Sequence, residues 1–229
     1  MQIIPTRDGS HTLYVPALSE TYHSLHGAVQ ESQHVFIQNG LLHWLQQHSA
    51  SSVTVLEVGL GTGLNALLTY LMAEQTATTV QYTALEPFPI PLACVAGLNY
   101  SRRLADSGHM PLDALQAVFE TIHSQPEGVT NALSSYFALQ KLHTSVADFA
   151  SPPVAFDLVY FDAFAPSKQP SMWTLETLST VVQLIRPGGL LVTYCVQGQF
   201  RRHLKQLGLA VTTLPGPPGK KEMTRAVCV

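Results

Sequence analysis

Hydrophobic and polar positions follow two alternating patterns along most of the chain, and together they predict strands that alternate with helices. Short apolar runs typical of buried strands lie at 53–58, 80–85, 138–146, 156–161 and 190–194. Segments with apolar residues three or four positions apart predict helices at 64–73, 91–105, 112–123, 175–185 and 199–207. Two further strands, at 209–214 and 225–229, are joined by a loop rich in proline and glycine, so we expect them to pair antiparallel.

This order of elements predicts an α/β fold with a doubly wound, mostly parallel sheet. Ligands of such sheets bind at the carboxyl-terminal edge of the strands. The sequence Arg-Pro-Gly-Gly at 186–189 predicts a turn before the strand at 190–194. A parallel sheet that ends in an antiparallel strand pair is how class I, Rossmann-like methyltransferases are built, and this is the fold class we expect.

The first fifty residues do not share the regular alternation. Residues 1–50 predict an irregular N-terminal extension, with a short strand at 12–15 and a helix at 35–47. We expect this extension to pack on a methyltransferase domain of residues 51–229.

Composition argues against a disordered, a membrane-spanning or a secreted protein. Of the 229 residues, 46% are hydrophobic and only 12% are charged, so long disordered stretches are not expected. No run of eighteen apolar residues is present, which excludes a membrane helix, and residues 1–7 lack the pattern of a signal peptide. Three cysteines lie far apart without a CxxC, as expected of a cytoplasmic protein.

The net charge of −3 is unevenly divided along the chain. Residues 168–229 carry eight basic and two acidic side chains, a net charge of +6, whereas residues 1–167 carry four basic and thirteen acidic ones, a net charge of −9. A basic C-terminal portion can neutralise the phosphates of a nucleic acid although the whole chain is acidic. An unevenly charged, solvated surface explains the same division equally well.

The most informative segment is the glycine motif at 56–65, which follows the strand at 53–58. Glycines at three alternate positions let the backbone turn sharply and approach a ligand, and their spacing differs from that of a dinucleotide site. Glu57 lies two residues before the first glycine, where it would repel a pyrophosphate. The motif therefore favours a cationic ligand, and S-adenosylmethionine is one that carries an ammonium and a sulfonium but no phosphate.

Two more acids follow the next strands. Glu86 ends the strand at 80–85, where a carboxylate can accept both hydroxyls of a ribose. Asp148 follows the strand at 138–146 and can accept the adenine amino group, although it also fits the cap of a short turn. The predicted cofactor contacts are thus Glu57, Gly59, Gly61, Gly63, Asn65, Glu86 and Asp148.

Asp162 is the candidate catalytic residue, because it follows the strand that should open beside the first strand of the sheet. Methyl transfer to an amine needs a free nitrogen lone pair, a short approach and a proton acceptor. Asp162 can supply the acceptor, or it can simply cap the loop that follows. Phe164 can close over the site and exclude water.

Other side chains are candidates for binding a substrate. Trp173 can stack on a base or belong to the core. The loop at 215–221 can present Lys220 and Lys221 to phosphates or be a solvated turn. His23 and His26 form the only close histidine pair, but no HExxH or neighbouring cysteine completes a metal site, so we expect none and assign His23 to the substrate pocket.

Taken together, these motifs resemble the MnmC-type tRNA 5-methylaminomethyl-2-thiouridine methyltransferases, in the stand-alone form without the FAD-dependent oxidase domain. The resemblance extends over nearly the whole chain. It rests on segments 8–10, 20–24, 26–28, 31–32, 34–37, 57–65, 86–89, 161–166, 172–173 and 220–223. Tyr22-His23-Ser24 and Asp162-Ala163-Phe164-Ala165-Pro166 are the most specific parts of it.

The resemblance implies methylation of 5-aminomethyl-(2-thio)uridine at the wobble position of tRNA, in the cytoplasm. It implies the tRNA anticodon stem-loop as a partner and leaves open a separate oxidase acting upstream. We assign Tyr22 to the substrate-binding residues. Glu57, Gly59, Gly61, Glu86 and Asp162 match the family's cofactor and active-site positions.

Two rival interpretations remain at the level of sequence. One is methyl or aminopropyl transfer to a small amine, as in polyamine synthases, but the basic C-terminal portion does not suit an acid-lined groove. The other is a non-catalytic RNA-binding module, against which the presence of Glu57, Glu86 and Asp162 counts.

Overall fold

The computed structural model describes residues 1–106 and 108–229, which form a main sheet of eight strands and an N-terminal sheet of three. The antiparallel N-terminal sheet contains β1 (Gln2–Pro5), β2 (His11–Val15) and β3 (Glu20–Thr21). A helical run follows, made of α1 (Ala28–Ser32), a π-helical stretch (Gln33–Leu42) and α2 (His43–His48). The segment therefore holds more regular structure than the irregular extension that its sequence predicts.

The main sheet follows with its connecting helices. Its strands are β4 (Ser52–Val58), β5 (Thr79–Leu85), β6 (Thr130–Ala132), β7 (Phe137–Leu142), β8 (Phe156–Phe161), β9 (Ile185–Thr193), β10 (Leu209–Pro215) and β11 (Glu222–Cys228). Its helices are α3 (Leu64–Thr76), α4 (Leu92–Ala96), α5 (Tyr100–Ala105), α6 (Leu112–Ser124), α7 (Leu175–Gln183) and α8 (Gly198–Gln206). No described helix combines the length and apolar character that crossing a bilayer requires.

The order of strands in the main sheet is β10-β11-β9-β8-β4-β5-β7-β6. Strands β4, β5, β7, β8 and β9 run parallel, whereas β11 pairs antiparallel with both β9 and β10. The predicted Rossmann-like fold, with its C-terminal antiparallel pair, is confirmed. Because the chain proceeds from β4 to β5 on one side and returns through β8 on the other, a crevice opens between the ends of β4 and β8.

Side chains on both faces of the central strands are buried, as parallel sheets require. Leu56 in β4 and Leu158 in β8 are fully buried, and helices cover them on either side. Burial of each such leucine stabilises the fold by about 1.5–3 kcal/mol. The strand ends are therefore rigid supports for the loops that follow them.

The helical run of the N-terminal segment packs directly on the main sheet. Gly40 makes the closest approach, because a Cβ there would lie 3.1 Å from Val192 and 3.2 Å from Tyr160. A π-helical stretch this long is unusual, and it keeps buried residues on the sheet side throughout. The packing brings β3 and α1 to the carboxyl-terminal edge of the sheet.

Two predicted elements differ from the structure for reasons of tertiary contact. The helix predicted at 91–105 is broken into α4 and α5, because Asn99 donates to the Gly9 carbonyl and accepts from the His11 amide. The turn predicted at 186–189 belongs to β9, where the pairing with β8 shifts register and Gly188 takes a φ of +79°. Strand β9 is therefore irregular at 186–189, where the sequence predicts a turn.

Candidate active site

A cavity of about 780 Å³ opens at the carboxyl-terminal edge of the main sheet. Its floor comes from residues that follow β4, β5, β8 and β9, among them Gly59, Glu86, Asp162 and Tyr194. Residues 20–26 and Lys220 contribute to the walls. The volume falls within the range of about 300–1,000 Å³ that small-molecule sites occupy.

The glycine motif turns beneath this cavity with positive backbone angles. Gly59 has a φ of +95°, and a Cβ on it would lie 2.7 Å from the Asp162 carbonyl oxygen. Gly61 has a φ of +47°, and a Cβ on it would lie 2.8 Å from the ring of Tyr22. Both positions require glycine because the left-handed backbone and the close approach leave no room for a side chain.

Thr62, between the second and third glycines, is held from two sides by buried histidines. A hydrogen bond of 2.6 Å joins its hydroxyl to His23 Nε2, and His123 Nε2 donates to its carbonyl oxygen at 3.1 Å. Burial lowers the pKa of both His23 and His123 to about 4, so both rings are neutral at physiological pH. The loop is therefore fixed by neutral hydrogen bonds.

Glu86 links the glycine motif to the end of β5. Its Oε2 accepts a hydrogen bond from the Gly61 amide at 2.8 Å, and its Oε1 accepts one from the Phe88 amide at 2.9 Å. Each carboxylate oxygen retains a second lone pair. Glu86 faces the cavity and can still accept bonds from two hydroxyls of a bound ligand.

Glu57 lies fully buried beneath the motif. Its Oε1 accepts a 2.9 Å hydrogen bond from Asn65 Nδ2, and the buried Tyr82 hydroxyl is a second hydrogen-bonding neighbour of this carboxyl group. Burial raises the pKa of Glu57 well above its usual value. Glu57 and Asn65 lie outside the cavity lining, beneath the glycine motif, where a carboxyl group suits a positively charged ligand better than a phosphate.

Asp162 follows β8 and lines the cavity. The same Asn65 Nδ2 donates to its Oδ2 at 2.8 Å. Burial raises the pKa of Asp162 to about 7, while the Asn65 hydrogen bond opposes the rise and the charge of Glu31 adds to it. A carboxyl group with a pKa near neutrality suits a general base.

An aromatic pair forms one wall of the cavity above Gly61. The rings of Tyr22 and Phe164 have centroids 4.9 Å apart and are inclined by 60°. Burial raises the pKa of Tyr22 to about 12, so its hydroxyl keeps its proton. This wall excludes water and offers flat apolar surface to a ligand.

Several residues predicted from the sequence lie outside the cavity lining. Asp148 is exposed and accepts a 2.7 Å hydrogen bond from Ser145 Oγ, and its own amide donates to the same hydroxyl. Trp173 is 4% exposed and donates to the Phe164 carbonyl at 2.8 Å, so its ring belongs to the core and is not free to stack on a base. Gly63 faces His123, and Lys221 is exposed beside the cavity.

The sequence interpretation assigned no role to Glu31 and placed Lys220 on an outer surface. In the structure Lys220 Nζ lies 2.5 Å from Glu31 Oε2 and 4.0 Å from the centre of the Tyr194 ring. Both charged residues line the cavity. Helix α1 has the mixed sequence Ala-Val-Gln-Glu-Ser, so nothing in its local pattern indicates that Glu31 is buried.

Exposed apolar side chains surround the mouth of the cavity. Phe88 is 76% exposed and Leu25 is 52% exposed, and both contribute to its lining. Within the described part of the chain, no group of three or more His, Cys, Asp or Glu side chains is arranged to hold a metal ion. His23 is engaged with Thr62, and His26 lies 3.3 Å from Arg7.

Comparison with known proteins shows which methyltransferases this chain is similar to. A family model described as S-adenosyl-L-methionine-dependent methyltransferase matches residues 115–228. The tRNA 5-methylaminomethyl-2-thiouridine biosynthesis bifunctional protein MnmC of Cupriavidus necator is 30% identical over 228 residues, which cover 93% of this chain and 32% of the relative. The chain thus spans about a third of the length of the curated relatives it matches.

Solved structures share the fold. The crystal structure of MNMC2 from Aquifex aeolicus has a TM-score of 0.75 at 24% identity and covers 99% of this chain and 70% of that chain. A probable spermidine synthase from Corynebacterium glutamicum has a TM-score of 0.51 at 15% identity and covers 96% of this chain and 69% of that chain. These matches place the chain with the S-adenosyl-L-methionine-dependent methyltransferases, with S-adenosyl-L-methionine as its cofactor, and make it similar to about a third of MnmC.

Proposed function

We propose that this methyltransferase methylates the aminomethyl nitrogen of 5-aminomethyl-(2-thio)uridine at the wobble position of tRNA. The name of the Cupriavidus necator relative supports the choice of substrate. The observation that carries the proposal is Asp162, a carboxyl group with a pKa near 7 that faces the cavity at the end of β8. An amine acceptor needs a base of this kind, since it must lose a proton.

The cofactor side of the cavity is the glycine motif with its acids. The backbone at Gly59 and Gly61 gives the close approach, and Glu86 can accept the ribose hydroxyls with its remaining lone pairs. Glu57 and Asn65 lie beneath the motif, and a positively charged ligand above them would favour the ionised form of the Glu57 carboxyl group. S-adenosyl-L-methionine supplies an electrophilic methyl group on its sulfonium.

The chemical role of the chain is to prepare and deprotonate the amine. Asp162 accepts a hydrogen bond from an amine N–H, which turns the nitrogen lone pair away from the carboxylate. An amine nitrogen that accepts the methyl group in exchange for the sulfonium would become positively charged, and its proton would pass to an Asp162 oxygen. The Asn65 amide, which donates to that carboxylate, keeps it oriented.

The substrate side is the aromatic wall with its neighbours. Tyr22 and Phe164 offer stacking surface for a uridine base, and His23 lies next to them in the lining. Lys221 is exposed beside the opening and suits contact with phosphates of the anticodon stem-loop. A tRNA substrate would place the enzyme in the cytoplasm, after an oxidase that produces the aminomethyl group.

One assay tests the proposal. Labelled S-adenosyl-L-methionine is incubated with the protein and either tRNA lacking the final methyl group or putrescine and related small amines. We expect label in tRNA, and chromatography of its nucleosides should locate the label in 5-methylaminomethyl-(2-thio)uridine. Label in the small amines alone, or in another nucleoside, would exclude the proposed substrate.

A further inference from the structure

The loop between β10 and β11 is fastened to the N-terminal segment at three places. His34 Nε2 donates to the Pro215 carbonyl at 2.8 Å, and the His26 ring lies directly against Gly219, where a Cβ would collide with it. The third contact is the ion pair of Lys220 with Glu31. The contacts at Pro215 and Gly219 lie just before Lys220 in the loop and help to set the position of its backbone.

The Lys220 ammonium is directed into the cavity. Its partner Glu31 is only 7% exposed at the side chain, and Glu31 Oε1 also accepts a 3.0 Å hydrogen bond from the Ser24 amide. The ammonium lies over the Tyr194 ring, and a cation in such a place gains from the ring electrons. A carboxylate and an aromatic face thus hold Lys220 in the same space that Asp162 lines.

Charged and titratable groups reach Asp162 from several elements. Asn65 of α3 donates to it, Glu57 of β4 shares that donor, and Tyr194 follows β9. Glu31 of α1 adds negative charge, and Lys220 opposes it with positive charge. Among these groups in the described part of the chain, Lys220 is the only cation.

We propose that Lys220 is a positioning residue of the active site, whose ammonium Glu31 and Tyr194 hold inside the cavity to offset the negative charges around Asp162. The catalytic role of Lys220 rests on the proposed function, because Asp162 must be deprotonated before it can accept a proton from the amine. A lysine whose ammonium is paired with Glu31 inside the cavity does not bind a phosphate. Contact with RNA phosphates is left to cations outside the cavity, such as Lys221.

The test compares Lys220→Met, Glu31→Gln and the double variant by carbon NMR of protein labelled at aspartate carboxyl groups. The Asp162 signal is identified by its absence in Asp162→Asn, and no substrate is added. We expect Lys220→Met to raise the pKa of Asp162 by about one unit and Glu31→Gln to lower it, with the double variant in between. Lys205→Met, which removes an exposed cation from α8, is the matched control and should change nothing.

An unchanged pKa in Lys220→Met, or shifts in the same direction for both single variants, would overturn the inference. Circular dichroism establishes that each variant is folded, and a merely structural role would change stability without opposite shifts in pKa. Since the titration needs no RNA, it can succeed even if the tRNA assay fails, and the two failures are distinguishable.

Kinetics provide a second readout. The acid limb of the pH profile of kcat/KM should move to higher pH in Lys220→Met, by the same amount as the NMR shift. The salt dependence of tRNA binding should stay as in the unaltered protein. A slope reduced by about one would instead identify Lys220 as a phosphate contact and contradict the assignment.

Discussion

Asn65 donates one amide group to two carboxyl groups, those of Glu57 and Asp162. A shared donor stabilises neither carboxylate fully, which is one reason why burial is able to raise the pKa of both. The same amide fixes the direction of Asp162. At the scale of single residues, the site thus couples the acid beneath the glycine motif to the carboxyl group that faces the cavity.

Asp162→Asn preserves the shape of the side chain and removes the base. We expect turnover to fall by about 10²–10⁴-fold, while the affinity for S-adenosyl-L-methionine changes by no more than about threefold. Single-turnover methylation and calorimetry measure the two quantities. Asp113→Asn, an exposed change on α6, is the control. A large loss of cofactor affinity would make Asp162 a binding residue instead.

The raised pKa of Asp162 also predicts how stability depends on pH. Between its ordinary value of 3.8 and about 7, the unfolded chain has lost this proton and the folded protein still holds it. Stability from this group therefore falls as pH rises through that window. Relative to wild type, Asp162→Asn should gain about 1–3 kcal/mol between pH 4 and pH 8, a range discounted because the side chain is partly exposed.

Urea unfolding at a series of pH values measures this gain. A variant whose stability stays parallel to that of wild type across the window would mean that the pKa of Asp162 is not raised in the folded protein.

At the scale of elements, the turn from β4 into α3 combines strain with close contact. Gly59 is needed both for its φ of +95° and for the space taken by the Asp162 carbonyl. Gly128 has a φ of +76° but faces open space, since no atom lies within 4 Å of a Cβ built there. A substitution at Gly128 therefore measures the free-energy cost of the backbone angle alone, whereas one at Gly59 adds the cost of the collision with the Asp162 carbonyl.

Gly128→Ala should therefore destabilise the protein by about 1–2 kcal/mol, the cost of the left-handed angle alone. Gly59→Ala should cost at least about 2 kcal/mol more and should weaken binding of S-adenosyl-L-methionine, because the Asp162 backbone must move. Denaturant unfolding and calorimetry are the measurements. Equal losses in both variants would show that the close approach at Gly59 carries no penalty.

The sequence predicts structure best where an element is determined by its own residues and not by contacts with distant ones. The strand at 53–58 and the glycines after it are found almost to the residue, since a buried strand and a sharp turn each have a distinct local signature. The break at Asn99 and the irregular part of β9 were not predictable, because each depends on a partner far away in the sequence.

At the scale of the whole molecule, the same limit applies to the site. Asp162 and Glu86 were predicted as site residues because they end predicted strands, and both line the cavity. Lys220 was assigned to an outer surface because nothing near it in the sequence indicates Glu31, 189 positions earlier. For Trp173 the sequence was compatible with stacking on a base or with burial in the core, and the structure shows that it is buried.

The uneven charge of the chain predicts how tRNA binding depends on salt. Lys221→Ala should weaken tRNA binding about three- to tenfold and reduce the slope against salt concentration by about one, because one released counterion is lost. Arg102→Ala removes an exposed cation from the acidic portion and is the matched control. Filter binding at several salt concentrations distinguishes them, and equal slopes for all three proteins would remove Lys221 from the interface.

The hydrogen bond from His34 to Pro215 joins residues 181 positions apart. During synthesis, the first side of this contact leaves the ribosome long before the second is translated. The side of the cavity that Lys220 lines can therefore form only after the loop between β10 and β11 has been translated. Contacts of such long sequence separation are also slow to form, so gain of donor binding would be a late event in folding.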